Sequence, residues 1–81
     1  MPMTSAQMRA ARGLLNWSQR QLAEESGVSV ETIKRLESMD GALESTRVAT
    51  ITAIQKAFTA EGVEFTNGDE PGVKMRAKKK R

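Results

Sequence analysis

Apolar side chains recur at helical spacing through most of the first sixty positions of the chain. A first stripe predicts a helix over residues 5–15, and Ser5 is placed to cap its start. A longer stripe follows Ser45, a second candidate cap, and ends before Gly62. Its members are Val48, Ile51, Ile54 and Phe58. The two stripes predict the first helix and the fourth, which is the longest.

Two shorter helices are predicted between them, on either side of Gly27. Ser18 and Gln21 form a capping-box pattern at the start of the second helix, and Gly27 suits the left-handed position that ends it. Ser29 is placed to cap a third helix, which runs to about Ser38. Five apolar side chains must meet if these helices cross and share a core: Leu22, Ala23, Val28, Ile33 and Leu36.

The third helix leaves one side free of apolar residues. At about 100° per residue, four polar side chains fall opposite the apolar pair of this helix. They are Glu31, Lys34, Arg35 and Ser38, with Val30 at the exposed start. This pattern also fits an ordinary helix pair with a solvated face, in which Glu31 serves only the helix dipole. The free side is nevertheless available to a groove.

The period of the pattern changes to two beyond Gly62. Residues 63–65, VEF, and residues 73–75, VKM, alternate on either side of the turn-rich stretch TNGDEPG. This predicts a hairpin over residues 63–76, which must pack on the fourth helix or pair with another chain because an isolated hairpin is marginal in water. Residues 77–81 are expected to form a flexible basic tail.

Charge divides unevenly along the chain. Residues 1–73 hold seven basic and ten acidic groups, a net charge of −3, whereas residues 74–81, KMRAKKKR, contribute +6. The overall +3 therefore describes a mildly acidic domain with a basic end, and it does not indicate a basic binding face. A nucleic-acid interface has to be argued from where individual charges lie.

Two residue types that many enzymes use in catalysis are missing. The chain has no cysteine and no histidine, which excludes disulfides, the usual zinc ligand sets and imidazole acid–base chemistry. Acids and amines form no convergent set, so we expect no enzymatic activity, no metal and no cofactor. With 81 residues, one small domain leaves little room for a deep small-molecule site.

No stretch of the sequence predicts export or membrane insertion. The first ten residues, MPMTSAQMRA, lack the apolar run of a signal peptide. No segment approaches the roughly 20 apolar residues of a membrane span. We therefore expect a cytoplasmic protein without a membrane partner.

Together these residues closely resemble the helix-turn-helix of the Cro and lambda-repressor-like (XRE-type) DNA-binding family. The resemblance covers about residues 5–61 and rests on Gln19, Leu22-Ala23, Gly27-Val28-Ser29, Thr32-Ile33, Leu36 and Glu37. It implies a mainly α, compact four- to five-helix domain over residues 1–62, with the helix-turn-helix at 18–38. The family often continues with a short fifth helix, which the hairpin pattern replaces in this chain. Ser26 departs from the usual apolar residue, which predicts looser packing, and the loop carries the acids Asp40 and Glu44.

The resemblance implies roles for individual side chains. The positions that match base-reading residues are Gln19, Val30, Glu31 and Arg35, and Gln19 also matches a contact to the DNA backbone. Those suited to DNA phosphates are Ser18, Arg20, Ser29, Lys34, Ser38 and Arg47. Arg12 and Glu37 match an ion pair that bridges the first and third helices. Chemistry agrees for base reading, since Arg35 can bond guanine O6 and N7, Glu31 can accept from cytosine N4, and Val30 can pack on a thymine methyl.

These roles predict a sequence-specific transcriptional regulator of bacteria or phage. We expect a repressor that binds double-stranded DNA as a homodimer on an inverted repeat, acting by occupancy at its own promoter or a neighbouring one. The alternative is a protein-interaction module such as an antitoxin or antirepressor. The dimer is expected to form through helix four or through the hairpin residues Val63, Phe65, Val73 and Met75. A basic arm is expected to follow the DNA backbone through Lys78, Lys79, Lys80 and Arg81.

Overall fold

A computed structural model describes residues 3–39, 46–66 and 71–76. Within these residues, four helices precede one two-stranded antiparallel sheet. The elements are α1 (Ser5–Leu15), α2 (Gln19–Ser26), α3 (Val30–Ser38), α4 (Val48–Thr59), β1 (Val63–Thr66) and β2 (Gly72–Met75). The predicted fold class is confirmed, and α4 is the longest of the described helices at 12 residues.

The turn between α2 and α3 follows the predicted capping residues. The Ser18 hydroxyl accepts the Gln21 amide at 3.0 Å, and the Ser29 hydroxyl accepts the Thr32 amide at 3.2 Å. Gly27 ends α2 with a φ of 77°, a left-handed conformation that a side chain would strain. The capping box of α2 is only half formed, because the Gln21 side chain donates to Glu25 instead of returning to the cap. Only residues 27–29 separate the end of α2 from the start of α3.

The start of α1 corrects one prediction. Its N-cap is Thr4 and not Ser5: Thr4 Oγ1 accepts the Gln7 amide at 3.0 Å, and Gln7 Oε1 accepts the Thr4 amide at 2.9 Å. This reciprocal pair satisfies two amides at once, so it outcompetes a lone serine one residue later. Ser5 becomes the first residue of the helix and is buried, with its hydroxyl donating to the Met39 carbonyl at 2.6 Å.

The start of α4 also differs from the prediction, but here no side chain provides a cap. Arg47 occupies the N-cap position, with no hydrogen bond from its side chain. The Arg47 carbonyl accepts the Thr50 and Ile51 amides at 3.1 Å, and the exposed first turn leaves its amides accessible to water. A side-chain cap is therefore not required there. Ser45, the predicted cap, lies outside the described residues.

The core of the described chain joins all four helices to the first strand. Its buried apolar members are Met3, Met8, Ala11, Leu22, Ile33, Leu36, Ile54, Phe58 and Val63. Phe58 lies between two aromatic rings, stacked on Trp17 with centroids 5.8 Å apart and edge-to-face with Phe65 at 5.9 Å. Of the five side chains expected to meet in the helix-turn-helix, three are in this core, and Ala23 and Val28 pack against it.

The hairpin turns its apolar face inward. Val63 pairs with Met75 and Phe65 with Val73, and directly opposed residues in an antiparallel pair share a face. That face packs on α1 and α4, which confirms the predicted packing on the fourth helix and adds α1 to it. The prediction of Val63 as a dimer contact is wrong, because its side chain is fully buried. Met75, in contrast, is 41% exposed.

One buried side chain fastens the hairpin to α1. Gln7 Nε2 donates to the carbonyls of Thr66 at 2.9 Å and Gly72 at 3.0 Å, which face each other at the loop end of the hairpin. Its Oε1 is already the acceptor of the capping box at Thr4. A single carboxamide therefore orders the start of α1 and closes the hairpin onto it.

Candidate nucleic-acid interface

The polar side of α3 is free in the folded chain. Ile33, Leu36 and Glu37 are buried on the inner side of the helix. The outer side is exposed at Glu31, Lys34, Arg35 and Ser38, with Val30 half-buried at its start. Helix α2 packs against the inner side, so the core holds α3 in place without covering the outer side.

Four of the predicted DNA-binding cations are unpaired within the part of the chain that the structure describes. Arg20, Lys34, Arg35 and Arg47 are exposed, and none forms an ion pair with a described residue. An unpaired guanidinium or ammonium gives up no internal ion pair when it meets a phosphate or a guanine. These side chains can therefore bind a polyanion without first breaking an ion pair to another described residue.

The three serines predicted to contact phosphate differ in what they can still donate. Ser29 donates its hydroxyl to Thr32 Oγ1 at 2.9 Å, and Ser38 donates to the Arg35 carbonyl at 2.8 Å. Among the described residues, Ser18 forms one side-chain hydrogen bond, as the acceptor of the Gln21 amide. Phosphate oxygens accept hydrogen bonds and do not donate them. Ser18 is thus the serine whose proton is free for a phosphate, whereas Ser29 and Ser38 would first have to break a hydrogen bond.

Behind this surface, Glu37 anchors a buried polar network. Arg12 Nε lies 2.7 Å from Glu37 Oε2, and Arg12 Nη2 donates to Glu37 Oε1 at 2.8 Å. Arg12 Nη1 also donates to the Trp17 carbonyl at 2.9 Å. The Glu37 side chain is 4% exposed. The hydrogen bonds and charge of Glu37 raise the pKa of Arg12 despite partial burial, so the arginine stays charged throughout the neutral range.

Gln19, predicted to read a base, joins this network. Its Nε2 donates to Glu37 Oε1 at 3.1 Å, from the first residue of α2. The resemblance places Gln19 against DNA, and the hydrogen bond to Glu37 shows how its side chain is held in the folded chain. The Glu37 carboxylate thus accepts hydrogen bonds from side chains of two helices, α1 and α2.

Sequence reasoning missed two side chains that hold the end of α3. Ser5 donates to the Met39 carbonyl, and Arg9 Nη1 donates to the Glu37 carbonyl. With Arg12 they lie at helical spacing along one side of α1. Arginines near a helix C-terminus also interact favourably with its dipole. The spacing was visible in the sequence, but their backbone acceptors were not.

Several predicted features cannot be placed in the structure. The acidic loop residues Asp40 and Glu44 and the tail residues Lys78, Lys79, Lys80 and Arg81 lie outside the described residues. Among the residues that are described, no group of acidic side chains is arranged to hold a metal ion. No helix in the same ranges is long and apolar enough to cross a bilayer.

Two capped helices joined at Gly27, with one exposed polar side on the second, form a helix-turn-helix. A helix-turn-helix family model matches residues 8–58, which include most of α1 and nearly all of α4. The chain therefore belongs to the XRE and lambda-repressor-like helix-turn-helix family of DNA-binding transcription regulators. This confirms the resemblance. No curated protein matches the chain.

Proposed function

We propose that the chain is a sequence-specific repressor that binds an inverted repeat in double-stranded DNA as a homodimer. The outer side of α3 is the observation that carries the proposal. It combines an acid, Glu31, with the unpaired cations Lys34 and Arg35 and the half-buried Val30. The buried inner side of the helix fixes which of its side chains would enter a major groove.

The mixture of side chains on α3 favours base reading over general phosphate binding. A surface that bound only phosphates would gain from cations alone, and Glu31 would weaken it. Base edges instead present donors, acceptors and methyl groups, which Glu31, Arg35 and Val30 can each match. Lys34 then remains for the backbone. The helix thus carries one suitable group for each kind of base-edge contact.

The dimer follows from the small size of the reading surface. A nine-residue helix contacts only a few base pairs, so a second copy is needed for a site long enough to be distinctive. Two copies related by a twofold axis would place their α3 helices about 34 Å apart, one turn of DNA. Such a dimer in the cytoplasm would repress by covering a promoter, its own or a neighbouring one.

Footprinting on the DNA that flanks the gene, combined with a salt titration, tests this function. We expect protection of two half-sites with centres about 10 base pairs apart, and a steep fall of log affinity with log salt. Affinity for the protected site should exceed affinity for random DNA by about a thousandfold or more.

Equal affinity for flanking and random DNA would contradict sequence-specific regulation. No binding to either would favour the interaction module, such as an antitoxin or antirepressor. A footprint on one isolated half-site, with one chain bound, would contradict the dimer. The three results concern, in this order, sequence specificity, DNA binding and dimerisation.

A further inference from the structure

The orientation of the Gln19 carboxamide is set by its neighbour. A carboxylate only accepts hydrogen bonds, so the atom of Gln19 that lies 3.1 Å from Glu37 Oε1 must be the amide nitrogen. The amide oxygen consequently points away from Glu37. The Glu37 carboxylate therefore determines which atom of the Gln19 amide is oxygen and which is nitrogen, an assignment that is usually ambiguous for a glutamine.

Glu37 itself is held firmly. Arg12 binds both of its carboxylate oxygens, and the Glu37 side chain is almost completely buried. A bidentate arginine–carboxylate pair fixes the plane of the carboxylate as well as its position. Gln19 is fixed at its other end by the first turn of α2, which Ser18 caps. The carboxamide is therefore ordered before any DNA arrives, which lowers the entropy lost on binding.

The hydrogen-bonding groups that Gln19 has left form a specific pair. One N–H is donated to Glu37, so the amide retains its carbonyl oxygen and a second N–H. No donor among the described residues bonds to that oxygen. The free groups are thus one acceptor and one donor on the same planar amide.

Only one base uses both groups in the major groove. Adenine offers the N6 amino donor beside the N7 acceptor, whereas guanine offers the acceptors N7 and O6. Thymine offers an acceptor and cytosine a single amino donor. A phosphate offers acceptors alone, so it would use the free N–H of Gln19 and give its amide oxygen no donor.

We propose that Glu37 is a positioning residue that presents the carboxamide of Gln19 to an adenine, which makes Gln19 a determinant of sequence specificity. This inference rests on the proposed function and deepens it. It selects base reading over phosphate binding for Gln19, and it names the base.

Single base-pair substitutions along the footprinted site test the inference. With the unmodified chain, we expect one A·T pair in each half-site whose replacement weakens binding by about 5- to 150-fold. With Gln19→Ala, that preference should disappear while preferences at the other positions persist. Gln21→Ala is the matched control, because Gln21 is a glutamine of the same helix whose side chain bonds Glu25. It should leave every preference unchanged.

An adenine analogue tests the hydrogen bond between Gln19 and adenine N7 directly. 7-Deazaadenine lacks the N7 acceptor, so placing it at that base pair should weaken binding of the unmodified chain and have no effect on Gln19→Ala. Glu37→Asp keeps the charge but shortens the side chain, so it should reduce the adenine preference while leaving that of Arg35 intact. Circular dichroism would verify that each variant is folded.

A uniform loss at all positions with Gln19→Ala would overturn the inference and make Gln19 a phosphate contact. Equal sensitivity of both chains to 7-deazaadenine would also overturn it. In both cases the footprint and its other preferences would survive, so the proposed function would stand. Loss of all sequence preference in the unmodified chain would overturn both.

Discussion

Arg12 on α1 and Glu37 at the end of α3 meet through two parallel hydrogen bonds, 2.7 Å from Nε to Oε2 and 2.8 Å from Nη2 to Oε1. The Glu37 side chain is 4% exposed and that of Arg12 is 21% exposed. Replacing one partner would leave the other charge in a poorly solvated site. Removing one partner therefore lowers the stability of the fold by more than the attraction between the two charges contributes to it.

We expect Arg12→Ala to lower the free energy of unfolding by about 2 to 3 kcal/mol, because it leaves the Glu37 carboxylate buried without its cation. Urea unfolding measures this decrease. Arg20→Ala is the control, since Arg20 is exposed and has no ion pair with a described residue, and it should change stability by less than about 0.5 kcal/mol. Equal stability of the two variants would refute a structural role for the pair.

Arg35→Ala should weaken binding to the footprinted site by about 1 to 3 kcal/mol and relax the preference for guanine at one base pair per half-site. The reason is that the variant can no longer form two hydrogen bonds with guanine O6 and N7. Lys34→Ala, on the same exposed side, should weaken binding similarly on all sequences. Titrations on matched oligonucleotides distinguish these outcomes, and a uniform loss with Arg35→Ala would reassign Arg35 to phosphate.

Gln7→Leu should lower stability by about 1 to 3 kcal/mol, because the carbonyls of Thr66 and Gly72 lose their shared donor. Gln7→Glu should cost more, since it turns a carboxylate oxygen toward two carbonyl oxygens. Urea unfolding gives the totals. Amide hydrogen exchange should show the fastest opening in the hairpin, and unchanged protection there would contradict the clamp.

Met75→Asp should weaken dimerisation while leaving the stability of the monomer nearly unchanged, if the hairpin forms the dimer surface. Met75 is the exposed member of the predicted apolar set, whereas Phe65 packs on Phe58. Val48→Asp tests the alternative through α4, because Val48 is 79% exposed. Sedimentation velocity measures both. A dissociated Val48 variant beside an intact Met75 variant would assign the interface to α4.

A chain ending at Arg76 tests the basic tail. Arg76 is retained because its amide donates to the Gly62 carbonyl and its side chain lies 3.3 Å from Glu64. We expect weaker binding to operator and random DNA alike, and a salt slope smaller by about 0.9 for each phosphate that the tail no longer neutralises. Sequence preference should persist. An unchanged slope would show that residues 77–81 do not touch DNA.

The local pattern of apolar and polar residues was sufficient to predict the helices, the strands and the exposed side of α3. Its spacing separates Ile33 and Leu36 from the polar residues, and Gly27 marks the turn by a conformational requirement. Hydrogen bonds to the backbone could not be predicted in this way. Arg9 and Gln7 bond to carbonyls 28 to 65 residues away, and every residue carries a carbonyl, so composition gives no hint of the partner.

The hairpin illustrates a second limit. Alternation correctly placed Val63, Phe65, Val73 and Met75 on one face, but it could not say what covers that face. The answer depends on how near α1 and α4 lie, which is a property of tertiary packing. Val63 is buried there and Met75 remains accessible. A periodic pattern therefore identifies a surface that needs a partner without identifying the partner.

Helix α1 connects the hairpin to the end of α3. Gln7 fastens it to the hairpin, while Ser5, Arg9 and Arg12 fasten it to the end of α3. Ser5 and Gln7 are two residues apart at the start of α1, so the hydrogen bonds to the end of α3 and to the hairpin leave the same turn of this helix. If two copies pair at their hairpins, as proposed for the dimer, these shared contacts would couple the dimer surface to the position of α3.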